Sequence, residues 1–360
     1  MKLSDIRIMH ITNNFEIGGV QKIIYQLCNI TKKHFSEIIT VSSGGVYVDR
    51  INKLGIEHVT IPDLSTKNIK EILSIIQILK KTIKKNDINV IHCHHRMGVL
   101  FAKLASPHTR IVYNNHTIYS DKPKLTHAIL RNVEIIADGE QAAKNVAEYF
   151  GISEFNITTI NNSVEEYQEE YVEIEEISRE RKKNKFIVMN SARLHPQKGI
   201  NYFIEAACIL VKRGYDISFF MVGDGPLMEE MKRLVEQKSL KKHFFFLGFR
   251  NDIKNTISQC DLLVLTSIYE GLPLTPMEAF SVKKAVIATD IPGNREVVEN
   301  NVSGLLAETK NPISIAEKIE CLYKDRKLLN DLNINSYKQY HEKFSMKVFK
   351  QSYLDFYSDL

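Results

Sequence analysis

Short apolar runs alternate along the chain with longer stretches whose apolar positions recur every three or four residues. Ile6–Ile11 predicts a strand, Asn13–Gly19 a loop and Val20–Thr31 a helix. Strand-like runs recur at Glu37–Val41, Ile56–Ile61, Val90–Cys93, Arg110–Asn114 and Val133–Ala137, with helical periodicity between most of them. Strands alternating with helices imply βαβ units and a parallel sheet. The pattern fails between Val164 and Lys185, where VEEYQEEYVEIEEISRERKKNK is acidic and then basic. That run predicts an exposed connection and a polar helix. A second series follows: strand Lys185–Ser191, helix Ile200–Arg213, strand Ile217–Val222 and helix Pro226–Gln237. Further strands are predicted at Phe244–Leu247, Leu262–Thr266 and Ala285–Thr289.

The reading is therefore an α/β chain with two doubly wound parallel sheets in tandem. Their ligand is expected at the carboxyl edges of the strands, in a cleft. The expected boundaries are 1–164 for the first domain, 165–184 for the charged connection and 185–335 for the second domain. A C-terminal helix over 336–360 is expected to pack back on the first.

Composition narrows the class without naming an activity. The 360 residues are 44% hydrophobic and 25% charged, which suits a globular chain with real cores and excludes disorder as the main state. No apolar run approaches the ~18 residues of a membrane span. Asp5 and Arg7 interrupt any N-terminal hydrophobic region, so no secretory signal is read and a cytoplasmic location is expected. The five scattered cysteines then read as reduced thiols. The net charge of +5 is unevenly placed: residues 1–164 carry 20 Lys+Arg against 14 Asp+Glu, and the rest is nearly balanced.

Four loops carry the candidate chemistry. Glu270-Gly-Leu-Pro-Leu-Thr-Pro-Met-Glu278 follows a strand, and Thr275-Pro-Met-Glu278 has the form of a capping box. Two carboxylates beside a helix N-terminus suit sugar hydroxyls and a phosphate together. The plain alternative is that Glu278 only caps. On Ser191-Ala-Arg-Leu-His-Pro-Gln-Lys-Gly199, Arg193 and Lys198 suit a diphosphate, although two solvated loop cations would look the same. Val222-Gly-Asp-Gly-Pro226 and Asn13-Asn-Phe-Glu-Ile-Gly18-Gly19 place glycines where backbone can approach a ligand. Neither is Gly-x-Gly-x-x-Gly, which argues against a standard dinucleotide site.

With GGVQ, ARLHPQKG, VGDGP, LGFRND and the E-x7-E of EGLPLTPMEAF in order, the chain resembles the family 4 glycosyltransferases of GT-B fold, with two Rossmann-like domains facing a central cleft. The resemblance spans nearly the whole chain and is strongest from Arg193 to Glu296. It implies metal-independent, retaining transfer from a nucleotide-sugar. Glu270 would hold donor-sugar hydroxyls and Glu278 the ribose. Arg193 and Lys198 would bind the diphosphate, helped by backbone at Leu274–Thr275, by Gly18-Gly19 and by the Gly223 loop. Phe249–Arg250 would meet the base, and His116 the donor sugar or acceptor. Catalytic roles fall to Glu270, His116, Arg193 and Lys198. Asn162-Ser-Val-Glu165, Ala192 and Gln21 depart from the family's usual residues without removing a charged donor-binding group.

His92-Cys93-His94-His95 invites a metal reading. Strand alternation sends Cys93 away from His92 and His94, and no second Cys/His cluster supplies partners. No metal is expected, and His94 or His95 is assigned to the acceptor side. Lys80, Lys81, Lys84 and Lys85, on a helix read over 67–85, either sit in water or face anionic headgroups. Nothing suggests nucleic acid. The expected partners are thus a nucleotide-sugar, with UDP ahead of GDP as carrier, and a glycan or lipid-linked acceptor of bacterial surface polysaccharide synthesis. The nucleotide-sugar is a substrate, and no cofactor is expected. A non-catalytic partner subunit, a sugar-nucleotide epimerase and a nicotinamide oxidoreductase stay open as alternatives.

Overall fold

Near-continuous apolar runs of branched residues become fully buried strands here, because helices cover both faces of each sheet. The computed structural model describes residues 1–168 and 170–360. The strands are β1 (Arg7–Ile11), β2 (Glu37–Ser42), β3 (Glu57–Thr60), β4 (Val90–Cys93), β5 (Arg110–Asn115), β6 (Glu134–Ala137) and β7 (Ile157–Thr159). After them come β8 (Phe186–Ser191), β9 (Ile217–Val222), β10 (Phe244–Gly248), β11 (Leu262–Leu265), β12 (Val286–Thr289) and β13 (Gly304–Ala307). Two sheets result, ordered β3-β2-β1-β4-β5-β6-β7 and β10-β9-β8-β11-β12-β13. Every strand pairing within them is parallel.

The chain divides into two units. The first comprises Met1–Asn162 together with Phe349–Leu360, and the second is Ser163–Val348. Each is a Rossmann-like α/β unit with its own core. In the first, Met9, Ile11, Ile39, Ile91, Val99 and Ile135 are buried together. In the second, helices on one face enclose Phe203, Phe219, Phe244 and Val264, and those on the other enclose Met189, Phe220, Leu263 and Phe280. The strand order reverses direction between β1 and β4 in one unit and between β8 and β11 in the other. These two switch points are where such sheets bind ligands.

Several elements differ from the sequence reading. Two strands at sheet ends are absent from the sequence reading: β7, Ile-Thr-Thr, has a single apolar residue, and β13, Gly-Leu-Leu-Ala, is only four residues long. The charged run is only partly solvated. Its helix, Glu175–Arg181, buries Ile177 and Glu180, and Glu180 accepts a hydrogen bond from Ser218 Oγ at 2.9 Å. The C-terminal segment is not one helix over 336–360. A helix over Arg326–Gln339 runs into a π-helical turn, Tyr340–Phe344, and Ser345 separates that turn from a last helix, Met346–Asp359. All five cysteines are free thiols.

Candidate functional site

In the second unit the loops after β8 and β11 are stitched together at the switch point. Gly199 has φ +58, and a Cβ there would lie 2.3 Å from Thr266 O, so only glycine brings the two loops so close. Thr266 Oγ1 donates to Lys198 O at 3.0 Å, and Ile268 N donates to Gln197 O at 2.8 Å. The Gln197 amide closes the seam on Tyr269 O at 2.9 Å. This stitching sets Lys198 Nζ 2.5 Å from Glu270 Oε1. Ser267 Oγ donates to the same oxygen at 2.6 Å. The carboxylate is therefore held by two partners while keeping some exposure.

Behind it, Ser267 O accepts from Thr289 Oγ1 at 2.5 Å, and Asn294 Nδ2 donates to Thr289 O at 2.8 Å. Gly293 lies against the Glu270 turn, where an added Cβ would meet Gly271 O at 1.9 Å. Ser267, Gly293 and Asn294 escaped the site assignment from sequence. Gly293 and Asn294 lie in Ile291-Pro-Gly-Asn-Arg-Glu296, which the family resemblance sets near the cleft without a role, and nothing in the sequence marked Ser267.

The capping box is not formed. The helix runs Leu274–Ser281 with Pro273 at its cap and no side-chain capping bond, so Thr275 is the second helical residue and Pro276 the third. Pro273 ends the preceding loop in extended conformation and starts the helix two residues early. Leu274 and Thr275 thus offer first-turn N–H groups that have no acceptor within the helix, an arrangement suited to an anion. Half-buried Glu278 lies one turn further along.

The Arg193 guanidinium is exposed and makes no hydrogen bond or ion pair among the described residues. Gly223 begins the loop after β9, its N–H donating to Gly248 O at 2.8 Å. Phe249, after β10, is 66% exposed. Its neighbour Arg250 is committed inward, donating to both Asp252 oxygens at 2.8 and 2.7 Å and to Thr256 Oγ1 at 3.0 Å. These bonds hold the Asp252 carboxyl down at about 2.

In the first unit, Gly18 caps the helix Gly19–Thr31 in extended conformation, leaving first-turn N–H groups open after β1. The histidines behave unlike the sequence reading. His94, assigned to the acceptor side, is buried, and both its ring nitrogens are taken: Nε2 by His10 Nδ1 at 3.1 Å and Nδ1 by His116 Nε2 at 3.0 Å. His116 in turn gives its Nδ1–H to Asp138 Oδ2 at 2.8 Å, so neither of its nitrogens is open and its side chain is only 6% exposed. Asp138 also accepts from Asn114 Nδ2 at 2.6 Å and Asn162 Nδ2 at 3.0 Å. His95 sits half-buried at the cap of the helix Arg96–Ala105. Burial pushes the His10 imidazole down to about 3 and lowers His92 and His94 as well, so these rings are neutral.

Family models match most of the chain. Residues 17–166 match Glycosyltransferase Family 4, and residues 172–339 match Glycosyl transferases group 1. The UDP-Gal:alpha-D-GlcNAc-diphosphoundecaprenol alpha-1,3-galactosyltransferase of Escherichia coli is 27% identical over 359 residues, covering 92% of this chain and 91% of its own. The N,N'-diacetylbacillosaminyl-diphospho-undecaprenol alpha-1,3-N-acetylgalactosaminyltransferase of Campylobacter jejuni is 34% identical over 174 residues, 48% of this chain and 44% of its own. Among solved structures, a glycosyltransferase from Rickettsia africae superposes with TM-score 0.88 at 21% identity, over 99% of this chain and 98% of that one. Anabaena HepE in complex with UDP superposes with TM-score 0.84 at 18% identity, over 99% and 100%. These likenesses give the fold as GT-B.

Proposed function

Since the chain belongs to the family 4 glycosyltransferases, we propose that it transfers a sugar, with retention at the anomeric carbon, from a UDP-sugar to a lipid-linked or glycan acceptor in bacterial surface-glycan synthesis. The observation that carries the donor assignment is the Lys198–Glu270 pair at 2.5 Å, beside the first-turn N–H groups of Leu274–Ser281. A carboxylate accepts hydrogen bonds from sugar hydroxyls, whereas an ammonium and backbone N–H groups donate to phosphate. One short stretch of the sheet edge therefore holds both complements of a sugar diphosphate. The UDP carrier is supported by the name of the Escherichia coli relative and by the HepE complex.

Breaking the anomeric C–O bond loads negative charge onto the leaving diphosphate. Lys198, the unpaired Arg193 guanidinium and the N–H groups of Leu274 and Thr275 stabilise that charge without a metal ion. As the diphosphate draws Lys198 Nζ toward itself, Glu270 keeps Ser267 and exchanges the ammonium for sugar hydroxyls. Retention follows if the acceptor attacks from the face the phosphate leaves and hands its proton to the departing phosphate oxygen. Glu278 takes the ribose hydroxyls, and backbone at Phe249–Arg250 meets the base, since the Arg250 side chain is tied to Asp252. His116 reaches a substrate hydroxyl only by giving up its bond from His94.

Thermal-shift titration with UDP and GDP tests the reading. UDP is expected to stabilise the wild type, and Lys198→Ala to weaken it about 10- to 100-fold, the worth of a charge-assisted phosphate contact. Absence of any nucleotide effect on the wild type would overturn the donor site.

A further inference from the structure

We infer that His10, His92 and His94 form a binding site for one imidazole-preferring divalent cation of the zinc class, at the carboxyl ends of β1 and β4. The sequence argued against a metal because Cys93 points away and no further ligand was in view. Cys93 does pack into the core with Ile11 and Val99. The missing partner comes from β1. Parallel register sets His10 beside His92, and His94 follows on the same side. All three are buried, and one ligand atom from each lies within 4.8 Å of the others.

Two nitrogens bound to one tetrahedral Zn²⁺, at the usual 2.0–2.1 Å, stand about 3.3 Å apart. His10 Nδ1 and His94 Nε2 are already 3.1 Å apart. Tautomers can be traced from the far end of the chain of rings. Asp138 accepts from His116 Nδ1–H, which in a neutral ring leaves His116 Nε2 to accept from His94 Nδ1–H. The lone pair of His94 Nε2 therefore points at His10. A ligating histidine usually hands its other N–H to a carboxylate or comparable acceptor, and here Asp138 is reached through one further imidazole. His92 Nδ1 stands 2.6 Å from Tyr357 OH, and in the tautomer whose Nδ1–H donates to that hydroxyl the Nε2 lone pair is left over.

A dry chain of hydrogen bonds is the competing account, in which His10 Nδ1–H donates to His94 Nε2. It explains the 3.1 Å distance but leaves His10 Nε2 and His92 Nε2 buried without any partner. Such orphaned groups are uncommon in native folds and call for a reason. An ion removes the His92 orphan outright, whereas His10 Nε2 lacks a partner in both accounts. Three neutral imidazoles with no carboxylate or thiolate suit Zn²⁺, Ni²⁺ or Cu²⁺ and do not suit Mg²⁺ or Ca²⁺. The fourth position is left for water. Such an ion would tie β1 to β4 and fix the ring of His94 against His116, and it takes no part in binding the donor phosphates.

The test uses the full chain, freed of any affinity tag and stripped with chelator. Co²⁺ serves as a spectroscopic probe, and Zn²⁺ is titrated against a chromophoric competitor. The expected result is one ion per chain, with the visible bands of low-coordinate Co²⁺ displaced by Zn²⁺. Affinity is expected to fall at least about 100-fold in His92→Gln, and about 10- to 100-fold in Asp138→Asn, which removes only the outer support. The wild-type titration decides even where a variant misfolds. Folded wild type that binds no Zn²⁺ at micromolar concentrations overturns the site, as does binding unchanged in a folded His10→Gln/His92→Gln double variant.

Discussion

Gly293→Ala should disable the donor site from outside it. The new methyl would stand 1.9 Å from Gly271 O, 2.7 Å from Glu270 O and 3.0 Å from Glu270 C. An ordinary carbon–oxygen contact is about 3.3 Å, so roughly 1.4 Å must be recovered by moving backbone, because neither carbonyl is a flexible side-chain end. The helix that carries Gly293 is pinned by the Asn294–Thr289 bonds, which leaves the Glu270 turn to yield. Glu270 Oε1 sits 2.5 Å from Lys198 Nζ and 2.6 Å from Ser267 Oγ, and bonds of that length do not survive a shift of about an ångström. Misplacement on that scale costs about 100-fold in rate, equivalent to about 2.7 kcal/mol. Overpacking should cost about 1–3 kcal/mol in stability. The assay pairs UDP release in the presence of donor and acceptor with denaturant unfolding of the same preparation. The expected outcome is a folded protein with kcat/KM down about 100-fold. Wild-type turnover in the folded variant would refute the view that Gly293 sets the position of Glu270.

Gly18→Ala makes a useful contrast. Its Cβ would meet only the end of the Gln21 side chain, at 2.4 Å, and its backbone is extended, so stability should change by less than about 0.5 kcal/mol. Any loss of activity there should appear in donor KM and reveal backbone contact with phosphate. Asp252, with its carboxyl held at about 2, lends stability that is complete above the ordinary value of 3.8 and is lost as pH falls through about 2. Acid unfolding of wild type and Asp252→Asn should therefore diverge above pH 2 and converge below it, by no more than about 1 kcal/mol because the pair is partly exposed. Lys80, Lys81, Lys84 and Lys85 are all exposed on the helix Ile69–Lys85, which also exposes Ile69 and Leu73 at its start. Reversing the four charges tests whether these lysines face anionic headgroups: loss of sedimentation with anionic but not neutral liposomes supports that reading, and equal anionic sedimentation returns the lysines to a role in solubility.

Much of the fold was legible because branched apolar runs and amphipathic periods write βαβ units directly. The placement of the proposed donor loops was legible for the same reason: each begins where a strand ends, and their charged residues stand within a few positions of those ends. What escaped depends on distance in sequence or on local competition. Nothing near His92 announces His10, because only the register of β1 against β4 makes them neighbours. The Thr275 capping box has the right letters, yet Pro273 fixes an extended residue earlier and the helix begins there instead. Glu180 reads as one more solvated charge, and it is the Ser218 hydroxyl behind it together with the Lys183 ammonium that accounts for its burial.

The membership of Phe349–Leu360 in the first unit sets an order of events during synthesis. Tyr353 OH bonds Asn114 Oδ1 at 2.6 Å and Tyr357 OH bonds His92 Nδ1 at 2.6 Å, so two buried polar groups of β4 and β5 await residues 239 and 265 positions later in the chain. Ser163–Val348 leaves the ribosome with all its strands in hand and can close first. Met1–Asn162 is thus the segment that finishes folding, and until Phe349–Leu360 has emerged it holds its histidine-lined sheet edge uncovered. Nascent chains arrested before residue 349 should be the protease-sensitive form in their N-terminal part.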